Sequence, residues 1–240
     1  MKRLLVTNFL AIVIFTSTIA QTVSSTQQGY NAVGNLNAIA NLKPYTDGAV
    51  GFDNRYEGVK GSPMLYDTLL PAMLKVKNQD YYIQVEADLD LTKNTMIFIH
   101  PKTKQMLQLP AEIIDEVTFN KVTGQELYRT TSGMAFEKEL KSIAFCQVLN
   151  DKPVPFIKLP VKIFTEADYQ KLYSPDRRYD EFETNYRYYL MGPGDKFYQV
   201  QLNARSIGKL FPEKKKLIDE AFKDKSGNDE QTVITLLENF

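Results

Sequence analysis

Between Tyr81 and Leu91 apolar and polar residues alternate without interruption, with Ile83, Val85, Ala87 and Leu89 on one side and Gln84, Glu86, Asp88 and Asp90 on the other. A period of two belongs to a strand with one buried and one wet face. Two short apolar runs, Thr95 to Ile99 and Gln105 to Leu109, flank His100-Pro101-Lys102-Thr103-Lys104 and predict a hairpin. The same period continues through Val117 and Phe119, then Ile143 to Leu149 and Val154 to Phe164 around the turn Asn150 to Pro153. Pro155 and Pro160 lack amide donors, which predicts an edge strand or a bulge for the second of these runs. Tyr186 to Met191 and Phe197 to Leu202, joined by Gly192-Pro193-Gly194-Asp195, predict another hairpin.

After about Asn203 the period changes to that of a helix. Pro212 suits a first helical position, and Leu217, Ile218, Ala221 and Phe222 form an apolar stripe. Ser226-Gly227-Asn228 breaks it, and a second helix starts near Asp229 with Val233, Leu236, Leu237 and Phe240 at helical spacing. Strands followed by helices predict an α+β, mainly β fold: an antiparallel meander forming a curved sheet, sandwich or partly open barrel, with two C-terminal amphipathic helices. An outer-membrane barrel fits poorly, because a final strand would put Glu238 on its lipid face between Leu236 and Phe240.

The N-terminus reads as a cleavable export signal over residues 1–20. Lys2 and Arg3 precede the apolar stretch Leu4 to Phe15, which is too short for a stable membrane span, and Ala20 offers a small residue for cleavage before Gln21. Gln21 rather than Cys at that point encodes no lipid anchor, and no transmembrane segment is expected after cleavage. Residues 21–55, rich in Ser, Thr, Gln, Asn and Gly with scattered Val33, Leu36 and Ile39, are predicted as a flexible polar leader. Residues 56–240 then form a single β-rich domain whose helical C-terminus begins near residue 203.

Charge changes the picture by exclusion. The 29 basic residues balance 29 acidic ones, and loss of Lys2 and Arg3 leaves a slight acidic excess, so nothing favours nucleic acid as a partner. Arg177-Arg178 and Lys214 to Lys216 are too short for such a footprint. With 14 Tyr, 14 Phe and no Trp, aromatic packing falls to rings that favour strands.

Candidate chemistry is sparse. Cys146, the single cysteine, lies in an apolar run and reads as core. His100, the single histidine, lies in a hairpin loop, where a solvated or backbone-bonded imidazole is expected. Ser62 and Ser132 lack the flanking glycines of a nucleophile elbow. Asp88, Asp90 and Asn94 could face a hard cation from one side of a strand, but the spacing lacks the Gly and distal Glu of a calcium loop. No catalytic residue, metal site or cofactor is predicted. The ring-rich stretch Tyr179, Phe182, Tyr186, Tyr188, Tyr189, Phe197 and Tyr198 offers a binding surface, with Tyr179, Tyr186, Tyr188, Tyr189 and Tyr198 as candidate contact residues and cross-strand packing as the plainer reading.

The segment Tyr56-Glu57-Gly58-Val59-Lys60-Gly61-Ser62-Pro63-Met64-Leu65 resembles a recurrent opening motif of small exported proteins of Bacteroidetes-type bacteria, uncharacterised in role. The resemblance, over roughly residues 56–240, implies export and a β-meander followed by a lysine-rich helical end, and it implies no site residue. The expectation is therefore an exported, non-enzymatic binding or structural protein of the bacterial envelope, periplasmic or extracellular. It would contact a partner protein or envelope component through a Tyr-rich β face. Two alternatives are an envelope carbohydrate or lipid hydrolase using paired carboxylates such as Asp180, Glu181 and Glu183, and a carrier of an apolar ligand in a curved sheet.

Overall fold

The computed structural model describes residues 32–46, 58–167, 179–223 and 229–240, with side chains from residue 35 onward. The export signal at residues 1–20 and the pair Arg177-Arg178 lie outside the described residues. Ten strands are present: β1 (Leu70–Val76), β2 (Tyr82–Asp90), β3 (Thr95–Ile99), β4 (Met106–Pro110), β5 (Ile114–Lys121), β6 (Gly124–Thr130), β7 (Phe145–Asn150), β8 (Phe156–Thr165), β9 (Glu181–Gly192) and β10 (Lys196–Val200). Helix α1 (Ala32–Ala40) precedes them, and α2 (Ala204–Leu210), α3 (Lys215–Ala221) and α4 (Glu230–Leu237) follow. A 3-10 turn at Pro212–Lys214 joins α2 to α3, so the C-terminus carries two helical stretches. No described helix is long and apolar enough to cross a membrane.

All ten strands belong to one antiparallel sheet in the order β10-β9-β8-β7-β6-β5-β1-β2-β3-β4, and the sheet does not close on itself. The chain makes a meander from β1 to β4, crosses back, and makes a second meander outward from the other side of β1. Only the 3-10 turn Ala111–Ile113 separates β4 from β5, although three strands lie between them in the sheet. Pro110 to Ile114 can span at most about 14 Å, whereas four strand spacings of a flat sheet need about 19 Å. The sheet therefore curls at this end, and Leu74, Ile83, Leu89, Met96, Phe98, Leu109, Val117 and Phe119 fill its inside.

At the other end the sheet is covered on both faces. Asn203 caps α2 by accepting from Ser206 N–H at 2.8 Å, and Asp229 caps α4 by accepting from Gln231 N–H at 3.1 Å. Together with α3, these helices seat Ile207, Ile218, Val233, Leu236 and Leu237 on Phe156, Leu190 and Val200. The opposite face carries Cys146, Ile157, Leu159, Tyr189 and Phe197 beneath Met134, Phe136 and Leu140 of the β6–β7 loop. Phe136 continues the sheet by one parallel bridge to Phe197.

Three expectations need correction. Part of the predicted polar leader is ordered: α1 lies against β2 with Ile39 and Leu42 buried. The Asn35 amide donates to Gln84 O at 2.8 Å and accepts from Gln84 N–H at 2.7 Å, standing in for the strand that β3 stops short of supplying.

Asp88 and Asp90 do not face water, because the chain from Pro63 to Leu65 lies beside the end of β2, with Leu65 N–H donating to Leu89 O and Leu91 N–H to Pro63 O. Finally, β8 is an interior strand rather than an edge strand, and the bulge expected as the alternative is met where its pairing with β7 shifts register between Val148 and Asn150. The last β7–β8 pair is Gln147 with Lys158, so Pro160 sits where β8 has no bond to give on that side.

Candidate functional site

One register row runs through the molecule: Ile83, Leu74, Val117, Tyr128, Gln147, Lys158, Tyr188 and Val200, opposite one another on eight successive strands. Directly opposed residues point to the same side of a sheet. The row begins in the filled curl and ends under the C-terminal helices, and between these two apolar interiors its members are Tyr, Gln, Lys and Tyr. This strip is the candidate site.

Two acid-centred clusters border it. In the first, Tyr66 from the entry loop, residues 58–69 before β1, donates its hydroxyl to Glu126 Oε2 at 2.5 Å. Lys121 Nζ donates to Glu126 Oε1 at 2.7 Å and lies 5.0 Å from the centre of the Tyr66 ring. Tyr128 approaches both, at 3.3 Å from the Tyr66 hydroxyl and 3.4 Å from Glu126. Burial alone would push the Glu126 carboxyl up, but the donors Lys121, Tyr66 and Tyr128 together hold it below its ordinary value. Burial, reinforced by Glu126, pushes the Tyr66 phenol far up, and Tyr128 rises for the same reasons.

In the second cluster, Glu230 in the first turn of α4 accepts from the Tyr188 hydroxyl at 2.7 Å and pairs with Lys158 Nζ at 2.8 Å. Burial, then the Glu230 carboxylate, drives the Tyr188 phenol up. Lys158 Nζ also lies 4.4 Å from the centre of the Tyr186 ring, which is 49% exposed. Tyr66, Tyr128 and Tyr188 thus keep their protons and act as donors to carboxylates, whereas Tyr186 presents an aromatic surface with a cation on it.

Alternation along β9 divides the candidate tyrosines. Tyr186 and Tyr188 point to the strip. Tyr189 points to the opposite face, buried under the β6–β7 loop with its ring 5.2 Å from that of Phe136. Tyr198, opposite Leu190, shares the strip's side of the sheet, and its hydroxyl donates to Pro193 O within its own hairpin. Tyr179 is 66% exposed just before β9.

Other flagged groups hold backbone. Asp180 accepts from Ala167 N–H at 2.7 Å and Glu181 pairs with Lys60 at 2.6 Å, while Glu183 points to the face away from Tyr186. Asp88 accepts from Tyr66 N–H and Leu89 N–H, and its burial raises its carboxyl to about 6. Asp90 accepts from Thr92 and Lys93 N–H, shaping the β2–β3 turn in which Asn94 takes a positive φ.

His100 Nδ1 accepts from Lys102 and Thr103 N–H. Ser62 Oγ accepts from Met64 N–H and bonds to Asp67, and Ser132 Oγ accepts from Lys77 Nζ at 2.7 Å. Cys146 lies in the sheet interior, where burial pushes its thiol up to about 12.

Local pattern marks Tyr186 but not Tyr66, Lys121, Glu126, Lys158 or Glu230. These converge from distant parts of the chain, and each looks like an ordinary surface residue in its own neighbourhood. Comparison of the chain with protein-family models, curated proteins and solved structures finds no match. The architecture itself is α+β and mainly β, an open antiparallel sheet with helices packed on one end.

Proposed function

We propose that this is an exported, non-enzymatic binding protein of the bacterial envelope, whose contact surface is the strip between the two apolar interiors. One observation carries this reading: Tyr186 stands half exposed, with Lys158 over its ring, on a stretch of sheet that neither the C-terminal helices nor the entry loop covers. Tyrosine is enriched in interfaces because it combines a large apolar area with a polar tip and few rotatable bonds. Glu126 and Glu230, the carboxylates bordering the strip, are already paired with Lys121 and Lys158, which lowers the ordering cost of association. The resemblance at residues 56–65 and the N-terminal pattern support export.

The test is retention of the purified protein on isolated envelope fractions. Tyr186→Ala combined with Tyr179→Ala should reduce retention at least about tenfold with the unfolding midpoint little changed, as expected for central aromatic contacts. Unchanged retention by a folded double variant would remove this surface from consideration.

A further inference from the structure

The strip ends at an interruption in the sheet edge, and that interruption has a chemistry of its own. Lys60 N–H donates to Asp180 O at 2.8 Å and Phe182 N–H donates to Lys60 O at 2.9 Å, so residues 180 and 182 turn their main-chain groups away from β8. Tyr188 does the same toward Val200 of β10. Main-chain direction repeats every two residues, which puts the N–H and C=O of Thr184 and Tyr186 on the same outer edge. Among the described residues no strand or bridge pairs with them there. Among the described residues the edge is therefore closed at both ends and open over Glu183, Thr184, Asn185, Tyr186 and Arg187, of which all but Thr184 are exposed.

We infer that this gap receives an extended segment of a partner polypeptide, which adds to β9 as a short antiparallel strand carrying an acidic residue four positions before a basic one. The inference rests on the reading of the Tyr186 surface as the contact site and names its partner as a polypeptide. Exposed edges invite strand addition, and here the open length is about five residues, roughly 17 Å. Glu183 and Arg187 supply the register. Neither forms an ion pair with another described residue. Both occupy non-hydrogen-bonded positions relative to an incoming strand, where side chains approach most closely.

An antiparallel segment meets Arg187 first and Glu183 four residues later, so an acidic then a basic side chain complements the edge. On the other face Tyr186 and Thr184 flank the segment. A second folded copy cannot be the occupant, because its own β9 would run on into the space held by Lys60 and Val200.

The sequence of residues 182–188 itself carries Glu and Arg at this spacing, so a labelled peptide of those residues is a suitable probe. Fluorescence anisotropy should show saturable binding, with amide exchange at Thr184 and Tyr186 slowed about tenfold. A peptide with Glu and Arg exchanged should bind about tenfold more weakly, and the protein variant Glu183→Arg with Arg187→Glu should reverse that preference. Thr184→Pro removes an outward N–H that β8 does not use, and should abolish binding while the protein stays folded.

A peptide carrying N-methyl groups at the amides that face β9 should also fail, and it requires no change to the protein. Absence of binding at millimolar peptide, unchanged exchange at Thr184 and Tyr186, or equal binding of the two peptides would overturn the inference. If envelope retention depends on Tyr186 while the peptide leaves these amides unaffected, the contact surface stands and strand addition falls. If the peptide binds and retention ignores Tyr186, the converse holds.

Discussion

Lys158 on β8, the third strand from the β10 edge, and Glu230 at the start of the last helix meet at 2.8 Å, and the same carboxylate oxygen accepts from Tyr188. This pair fixes the start of α4 beside Tyr188, at the border of the strip, and leaves the Lys158 ammonium over the Tyr186 ring. Helix docking and surface shape are therefore coupled.

Glu230→Ala should destabilise the protein by about 1–3 kcal/mol, because it strips a partly buried lysine and a phenol of their shared acceptor. Glu230→Gln, which keeps an acceptor for Tyr188, should cost less. Urea unfolding of both variants checks the order, and equal losses would show that the charge on Glu230 is immaterial.

Tyr189 and Tyr186 should behave as opposites although they are three residues apart. Tyr189→Ala opens a cavity beside Phe136 and should cost about 3–4 kcal/mol. Tyr186→Ala, at an exposed position, should cost under about 1 kcal/mol. Thermal unfolding of the two single variants distinguishes them, and comparable losses would contradict the division of β9 into two faces.

Asp88 predicts a pH dependence. Its folded carboxyl titrates near 6, above the ordinary value of 3.8, chiefly through burial. The raised value favours the folded state fully below about pH 4, and that contribution is lost as pH rises through 6. The shift corresponds to a loss on the order of 3 kcal/mol. Asp88→Asn retains an oxygen for the Tyr66 and Leu89 amides and carries no charge. Its stability relative to the unaltered protein should therefore be higher at pH 7.5 than at pH 4.5, measured by denaturant midpoints. Parallel profiles for the two proteins would exclude Asp88 as the source.

Gly61 is required by its backbone. It has φ +74°, and a Cβ there would lie 2.8 Å from Phe182 O. Gly61→Ala should cost about 2 kcal/mol or more and detach Lys60 from the β9 edge, since neither the conformation nor the carbonyl can yield cheaply. Faster amide exchange at Phe182 is the readout. A fully stable variant with unchanged exchange would show that the entry loop tolerates a side chain.

Much of the sheet is legible locally. β2, the β3–β4 and β9–β10 hairpins and α4 follow from period and turn residues, because each has a continuous apolar face and a clear breaker. β1 and β6 escape such reading for physical reasons. β1 reads Leu-Pro-Ala-Met-Leu-Lys-Val, buried by neighbours on both sides and without clean alternation. β6 points Glu126 toward the strip, which is acceptable because Lys121 across the β5–β6 hairpin and Tyr66, sixty residues away in the chain, donate to it. α1 was hidden by polar composition, since Asn35 holds it to Gln84 through one amide. The candidate site shares this difficulty: Tyr186 shows itself as part of an aromatic run, whereas the charges around it become a cluster only after folding.

β7 and β8 contribute to both faces of the helix-covered end, with Leu149 and Phe156 on one side and Cys146, Ile157 and Leu159 on the other. Neither half of the molecule owns a complete wall, so scission in the turn between Asn150 and Phe156 should yield two fragments that hold together or collapse together. A partner gripping the middle of the sheet would accordingly load both ends at once, and the molecule would resist pulling as a single plate.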